Sequence, residues 1–179
     1  MLKSSQKHLN SLRKDMDELL PGHGRPIGTV RVDVQHIEQL RLEAVCWEGT
    51  DYKFKVTIDE PPSRGGDAAG PAPLSYFVLG AATCLMTQYV KIIILNGLKL
   101  DSISMRARGH FDRQIEGAFT DIVYDVRLTG SEDSDRIRAL AKDAEEHCFA
   151  TNTLKRAIRL VTNVEYNGQR LVSLTASPP

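Results

Sequence analysis

Two cysteines stand where they could do chemistry. Cys84 lies at the middle of the long apolar run GPAPLSYFVLGAATCLMTQYVKIIIL, Gly70 to Leu95, and Cys148 ends the segment DRIRALAKDAEEHC. A thiol is a nucleophile only as its thiolate, and an unperturbed thiol is mostly protonated at neutral pH. A reactive Cys84 therefore needs a nearby cation or hydrogen-bond donors. In the loop DEPPSRGGDAAG, Arg64 is the fixed cation that could reach toward a sulfur or a substrate, although a loop arginine can equally point into water. Cys46, set before Trp47 in an alternating stretch, reads as structural filling. His147 and Cys148 are adjacent, so on a helix they point about 100° apart and do not readily share one ligand. With no CxxC or zinc-ligand spacing, neither a metal nor a cofactor is expected.

The elements that must hold these groups follow from periodicity. The apolar run predicts a buried helix over Leu74 to Leu95, with Pro71 and Pro73 suiting an extended approach and a first helical turn. Apolar residues on every side of it predict a helix covered all round. Phe77, Gly80, Cys84, Thr87, Gln88 and Lys91 follow at spacings of three and four, a face of small and polar groups in which Gly80 leaves room above the sulfur. Ile137, Leu140, Ala141, Ala144 and Cys148 share the apolar face of a second helix, capped by Asp133 or Ser134.

Around these helices the period changes to two. TVRVDV, LRLEAVCW and YKFKVTI read as a meander of three strands, with Gly49, Thr50 and Asp51 at a turn. After Asn96-Gly97, a helix stop, LKLDSISMRARGHFDRQ and GAFTDIVYDVRLTG form a hairpin turning near Ile115 to Gly117. RLVTNVEYNGQRLVSL reads as a last strand with an Asn167-Gly168 turn and a short return. Ser4 or Ser5 caps an amphipathic first helix to about Leu20, ended by PGHGRP, which packs on the main body or on a second subunit. The order α, βββ, α, ββ, α, β has no βαβ repeat, so the fold class is α+β with mainly antiparallel sheet. Residues 1–22 are read as a helical extension and 23–179 as one domain.

Composition narrows the function classes. In 179 residues, 23 basic side chains balance 23 acidic ones, so no overall pull toward nucleic acid or an anionic membrane is implied. The first twenty residues lack the apolar core of a signal peptide, and the Ile-rich run after Lys91 is too short to span a bilayer. Three scattered cysteines do not make a secreted disulfide scaffold. The expectation is a cytoplasmic protein in which any disulfide is transient and chemical.

The run GPAPLSYFVLGAATC, the hairpin opening NGLKLDSISMRARG, and AEEHCFATNTLKRAI before a final strand together resemble the OsmC/Ohr family of organic hydroperoxide reductases. The resemblance covers roughly Thr29 to Leu174. It implies an intertwined homodimer in which two sheets wrap the central helices, with a site at the subunit interface. It also implies that Cys84 is the peroxidatic and Cys148 the resolving cysteine, pairing as a disulfide that a lipoyl-type dithiol reduces. The substrate class so implied is an apolar organic hydroperoxide. Where the family usually carries a glutamate in the first turn of the central helix, paired with an arginine, this chain has Leu74 and Ser75. The expectation is then that Arg64, or Arg41 from the second strand, approaches Cys84 without an orienting carboxylate.

Two other readings stay open at this stage. One is a slow redox-sensing or small hydrophobic ligand-binding protein of the same fold, favoured by the absent glutamate. The other is a metal or Cys-His hydrolase centre around His147, Cys148 and Cys84.

Overall fold

The computed structural model describes residues 6–17, 28–49, 51–114, 117–156 and 158–177. Ser4, Ser5, Thr50, Ile115 and the PGHGRP segment, to which a cap, two turns and a helix stop were assigned above, lie outside them.

Pro73 opens the central helix α2 (Pro73–Leu95), where a missing N–H costs nothing because the first-turn amides have no intrahelical partner. Asn96 caps its far end through contacts to the Ile92 and Ile94 carbonyls, and Gly97 follows with a positive φ. The helix is not covered all round. Leu85, Tyr89, Ile92 and Ile93 are buried, while Leu74, Phe77 and Leu79, nearer its N-terminal end, remain exposed. A single chain supplies packing partners for only one face.

Those partners are α3 (Ser134–Glu146), α4 (Phe149–Leu154) and β4 (Leu100–Phe111). Leu140 and Ala144 of α3, Leu98 and Leu100 before and at the start of β4, and Cys148 close the core against α2. Removing a side chain of this size from water contributes about 1.5–3 kcal/mol each. Asp133 caps α3 by accepting from the amides of Asp135 and Arg136, as its place before the periodic run predicts. β4 pairs antiparallel with β5 (Phe119–Gly130), and Ile103, Met105, Tyr124, Val126 and Leu128 turn toward the core.

The meander forms as expected: β1 (Arg31–Glu38), β2 (Arg41–Glu48) and β3 (Tyr52–Ile58) make one antiparallel sheet in that order. The return after Asn167-Gly168 is a full strand, so β6 (Leu160–Tyr166) and β7 (Gln169–Ala176) form a hairpin in which every residue is exposed. Of the meander, Ala44 and Ile58 are buried. The first helix, α1 (Gln6–Asp17), lies on the main body, tied to α2 by Asp15 and Lys91 at 2.7 Å. The architecture is mixed α and β with three separate antiparallel sheets.

Between β3 and α2 runs the loop that carries Arg64, and one buried carboxylate organises it. Asp59, only 2% exposed, accepts from the amides of Asp67 and Ala69. Those amides, Ala69 first, hold its carboxyl below the ordinary range against the opposing effect of burial. At Gly66 a Cβ would lie 2.0 Å from the Glu60 carbonyl oxygen, so only glycine allows the loop to fold back on itself there. The same fold places the 3-10 turn Pro62–Arg64 at the loop's tip.

Candidate active site

Cys84 sits half-buried in the middle of α2. Cys148 is fully buried, but it does not belong to the α3 face on which the spacing placed it. The helix ends at His147, whose Nδ1 lies 2.8 Å from the Asp143 carbonyl, and Cys148 is the N-cap of the next helix, α4. A run of helix-forming residues hides this break, because a cysteine in extended geometry can accept a cap hydrogen bond as serine does. The Thr151 amide donates to Cys148 Sγ at 3.4 Å.

The two sulfurs, 64 residues apart, stand 3.6 Å from one another with both thiols free. Burial pushes the Cys84 thiol up, and the neighbouring Cys148 sulfur raises it further. The backbone amides of Ala150 and Phe149, at the start of α4, draw it back. Within one chain the balance leaves Cys84 above its ordinary value of 9.0.

Arg64 lies elsewhere. It lines a groove of about 600 Å³ along the uncovered side of α2, with Leu74, Ser75, Val78, Thr83 and Met86 on one wall and β4 on the other. Neither cysteine is in that wall. The expected lack of a carboxylate is also corrected: Arg64 Nε stands 2.7 Å from Glu60 Oε2, four residues earlier in the same loop. The signal was present in EPPSR as an i, i+4 pair, masked by the two prolines that exclude an ordinary helix. Arg41 serves the scaffold instead, meeting Glu38 at 2.5 Å and Asp67 at 3.3 Å, beside buried Asp59.

A second cavity, of about 640 Å³, has neither cysteine in its wall but is lined by Leu85, next to Cys84 in α2, and by Thr151, whose amide donates to Cys148. Phe77, Leu85, Ile122 and Leu154 give it apolar walls, Tyr124 and Thr151 line it, and the Lys155 to Glu145 ion pair, 3.2 Å, stands among its lining residues. Phe119, stacked on Phe77 with ring centroids 5.2 Å apart, lines both cavities. Sequence reasoning singled out neither Tyr124 nor Thr151, since each is an ordinary member of its strand or helix until the chain is folded.

Of the face predicted along α2, Cys84 and Gln88 turn inward, Lys91 pairs with Asp15, and Phe77, Gly80 and Thr87 are exposed. A Cβ at Gly80 would meet nothing within 4 Å, so in one chain its smallness makes room for no neighbour. No group of three or more His, Cys, Asp or Glu side chains suited to a metal occurs among the described residues. By length and composition α2 as a whole could cross a membrane, which the Ile-rich run considered alone does not reveal. In this structure it packs against α3, α4 and β4.

Structures with the same fold are known. An OsmC-like protein from Mycoplasma pneumoniae superposes with a TM-score of 0.61 at 17% identity, over 73% of this chain and 89% of that one. An organic hydroperoxide resistance protein, OsmC, from Legionella pneumophila gives 0.56 at 20% identity, over 73% and 92%. A putative organic hydroperoxide resistance protein from Vibrio cholerae, solved with captopril in one of its active sites, gives 0.55 at 16% identity, over 83% and 97%. No protein of curated function matches the sequence. The OsmC-like protein family matches residues 65–163, a stretch that contains α2, the β4–β5 hairpin, both helices that follow and both cysteines, and the chain belongs to that family.

Proposed function

We propose that the protein is a thiol peroxidase for apolar organic hydroperoxides, and the observation that carries this reading is the 3.6 Å between Cys84 and Cys148. The Cys84 thiolate attacks the outer oxygen of the hydroperoxide; an S–O bond forms, the O–O bond breaks, and its electron pair leaves on the alkoxide, which takes a proton. Cys84 is then a sulfenic acid. Cys148 attacks that sulfur, water leaves, and a disulfide closes after a sulfur movement of about 1.5 Å. A dithiol of the lipoyl type returns both cysteines to thiols by exchange, ending as a cyclic disulfide itself. Chemistry of this kind suits the reducing cytoplasm.

The active form in this reading is a homodimer. The bare side of α2, the exposed β6–β7 hairpin and the largely exposed meander leave more apolar surface than a monomer usually carries. A second copy laid antiparallel on the groove of α2 covers Leu74 and Leu79. Arg64 stands at the N-terminal end of that groove, beside Leu74, ten residues or about 15 Å along the helix from its own Cys84. Antiparallel packing turns that distance to use, bringing Arg64 of the partner subunit toward Cys84, where a cation favours the thiolate. Glu60 orients the guanidinium in place of the absent first-turn glutamate.

The test is a slight excess of cumene hydroperoxide added to reduced protein, followed by thiol counts and peptide masses. Two thiols are expected to vanish into a Cys84 to Cys148 disulfide. Cys148→Ser is expected to stop at sulfenic or overoxidised Cys84, and Cys84→Ser to consume no peroxide. Thiols that persist, or oxidise no faster than free cysteine, would refute the reading.

A further inference from the structure

Two buried hydroxyls beside the cysteine pair have no hydrogen-bond partner. Thr151 is 8% exposed, and its Oγ1 neither donates nor accepts within the chain. Tyr124 Oη is likewise buried and unpartnered. A buried hydroxyl without a partner is costly, and natural proteins rarely keep one without a use or a bound guest. Both line the second cavity, whose remaining wall is mostly apolar. Thr151 is joined to the site through its own amide, which donates to Cys148 Sγ at 3.4 Å. Tyr124 packs with Cys84 on the core, and the charge of either thiolate would raise its phenol further above the ordinary value, after burial. A phenol so raised keeps its proton at neutral pH and can donate it.

We infer that Tyr124 Oη and Thr151 Oγ1 are the hydrogen-bond donors for the two oxygens of the bound hydroperoxide, with the organic group held by Phe77, Leu85, Ile122 and Leu154. This rests on the peroxidase reading and deepens it. As Cys84 takes the outer oxygen, negative charge develops on the inner one, and a donor fixed beside it stabilises the leaving alkoxide. That alkoxide is protonated from Tyr124, which recovers the proton from water, so nothing is consumed beyond the hydroperoxide and the thiolate. The hydroxyls lack partners within the chain because their partners are the substrate's oxygens.

Tyr124→Phe and Thr151→Val keep shape and remove the hydroxyl, so both variants are expected to fold with thermal midpoints no lower than the parent. The rate of Cys84 oxidation by cumene hydroperoxide is measured beside its alkylation by iodoacetamide, which needs the thiolate but no oxygen donor. Each variant is expected to slow oxidation about tenfold while alkylation is unchanged. Variants that match the parent with peroxide overturn the inference and leave the peroxidase reading standing. Parallel losses in both reactions also overturn it, since they mark a structural role. A parent protein inert to hydroperoxide removes the peroxidase reading itself, and the parent trace alone shows which has failed.

Discussion

A thiol raised by burial and by a second sulfur is a poor nucleophile, and that is the state of Cys84 within one chain. The reaction needs a cation, so the pH dependence of Cys84 reports whether one arrives. With Arg64 of the partner subunit in place, the iodoacetamide profile should have its midpoint below the value of 9.0 ordinary for this thiol. Arg64→Ala should move that midpoint upward and slow peroxide consumption at pH 7, and Glu60→Gln should do the same more weakly, by leaving the guanidinium unoriented. A midpoint unmoved in both variants would remove Arg64 from the mechanism. At this scale the sequence shows Cys84, Cys148 and Arg64 as chemical groups. Glu60 is legible only after the loop is seen to bring position 60 back to position 64, and Tyr124 and Thr151 only once their surroundings can be searched for partners.

The elements matter by what they hold in place. The loop from Asp59 to Gly70 is irregular, yet Asp59 gives it one shape by accepting two amides across eight and ten residues. Because its folded carboxyl titrates below the ordinary value of 3.8, the stability it contributes is complete above that value and is lost as pH falls through the lower, folded one. Glu132, which accepts from the Lys99 and Asp133 amides and joins β4 to α3, behaves alike from its ordinary value of 4.5 downward. Asp59→Asn should therefore lower the thermal midpoint at pH 7 and narrow its gap from the parent near pH 3. A gap that does not change with pH would mean that the carboxylate's charge is not what orders the loop. The break between α3 and α4 is the other decisive local feature. It moves Cys148 from a helix face to a cap, where the amides that follow point at Cys84, and no pattern of apolar residues announces such a break inside AEEHCFATN.

At the scale of the whole molecule, the exposed surface is the prediction. Sedimentation of the reduced protein should give about twice the mass of one chain, at micromolar concentration, because a groove as apolar as that lined by Leu74, Val78, Leu79 and Met86 is not stable in water alone. Leu79→Asp should shift the mass toward one chain and slow Cys84 oxidation in the same preparation, since it removes the packing that delivers the second copy's Arg64. A monomeric parent with full activity would refute the interface. The first helix, α1, meets the body through the Asp15 to Lys91 ion pair, and none of its residues lines either cavity.

What the sequence by itself determined is local or periodic: the strands and their hairpins, the long apolar helix, the Asp133 cap, the stop at Asn96-Gly97, and the α+β class. Each depends on residues close in the chain, so its physics can be read from spacing. Through its motifs the sequence also pointed to the family. Tertiary structure decided the rest, because the rest depends on residues brought together from far apart. It set 3.6 Å between sulfurs 64 residues apart and turned α2 half outward. It also gave Arg64 a carboxylate and left two buried hydroxyls facing a cavity with nothing of the chain's own to bind.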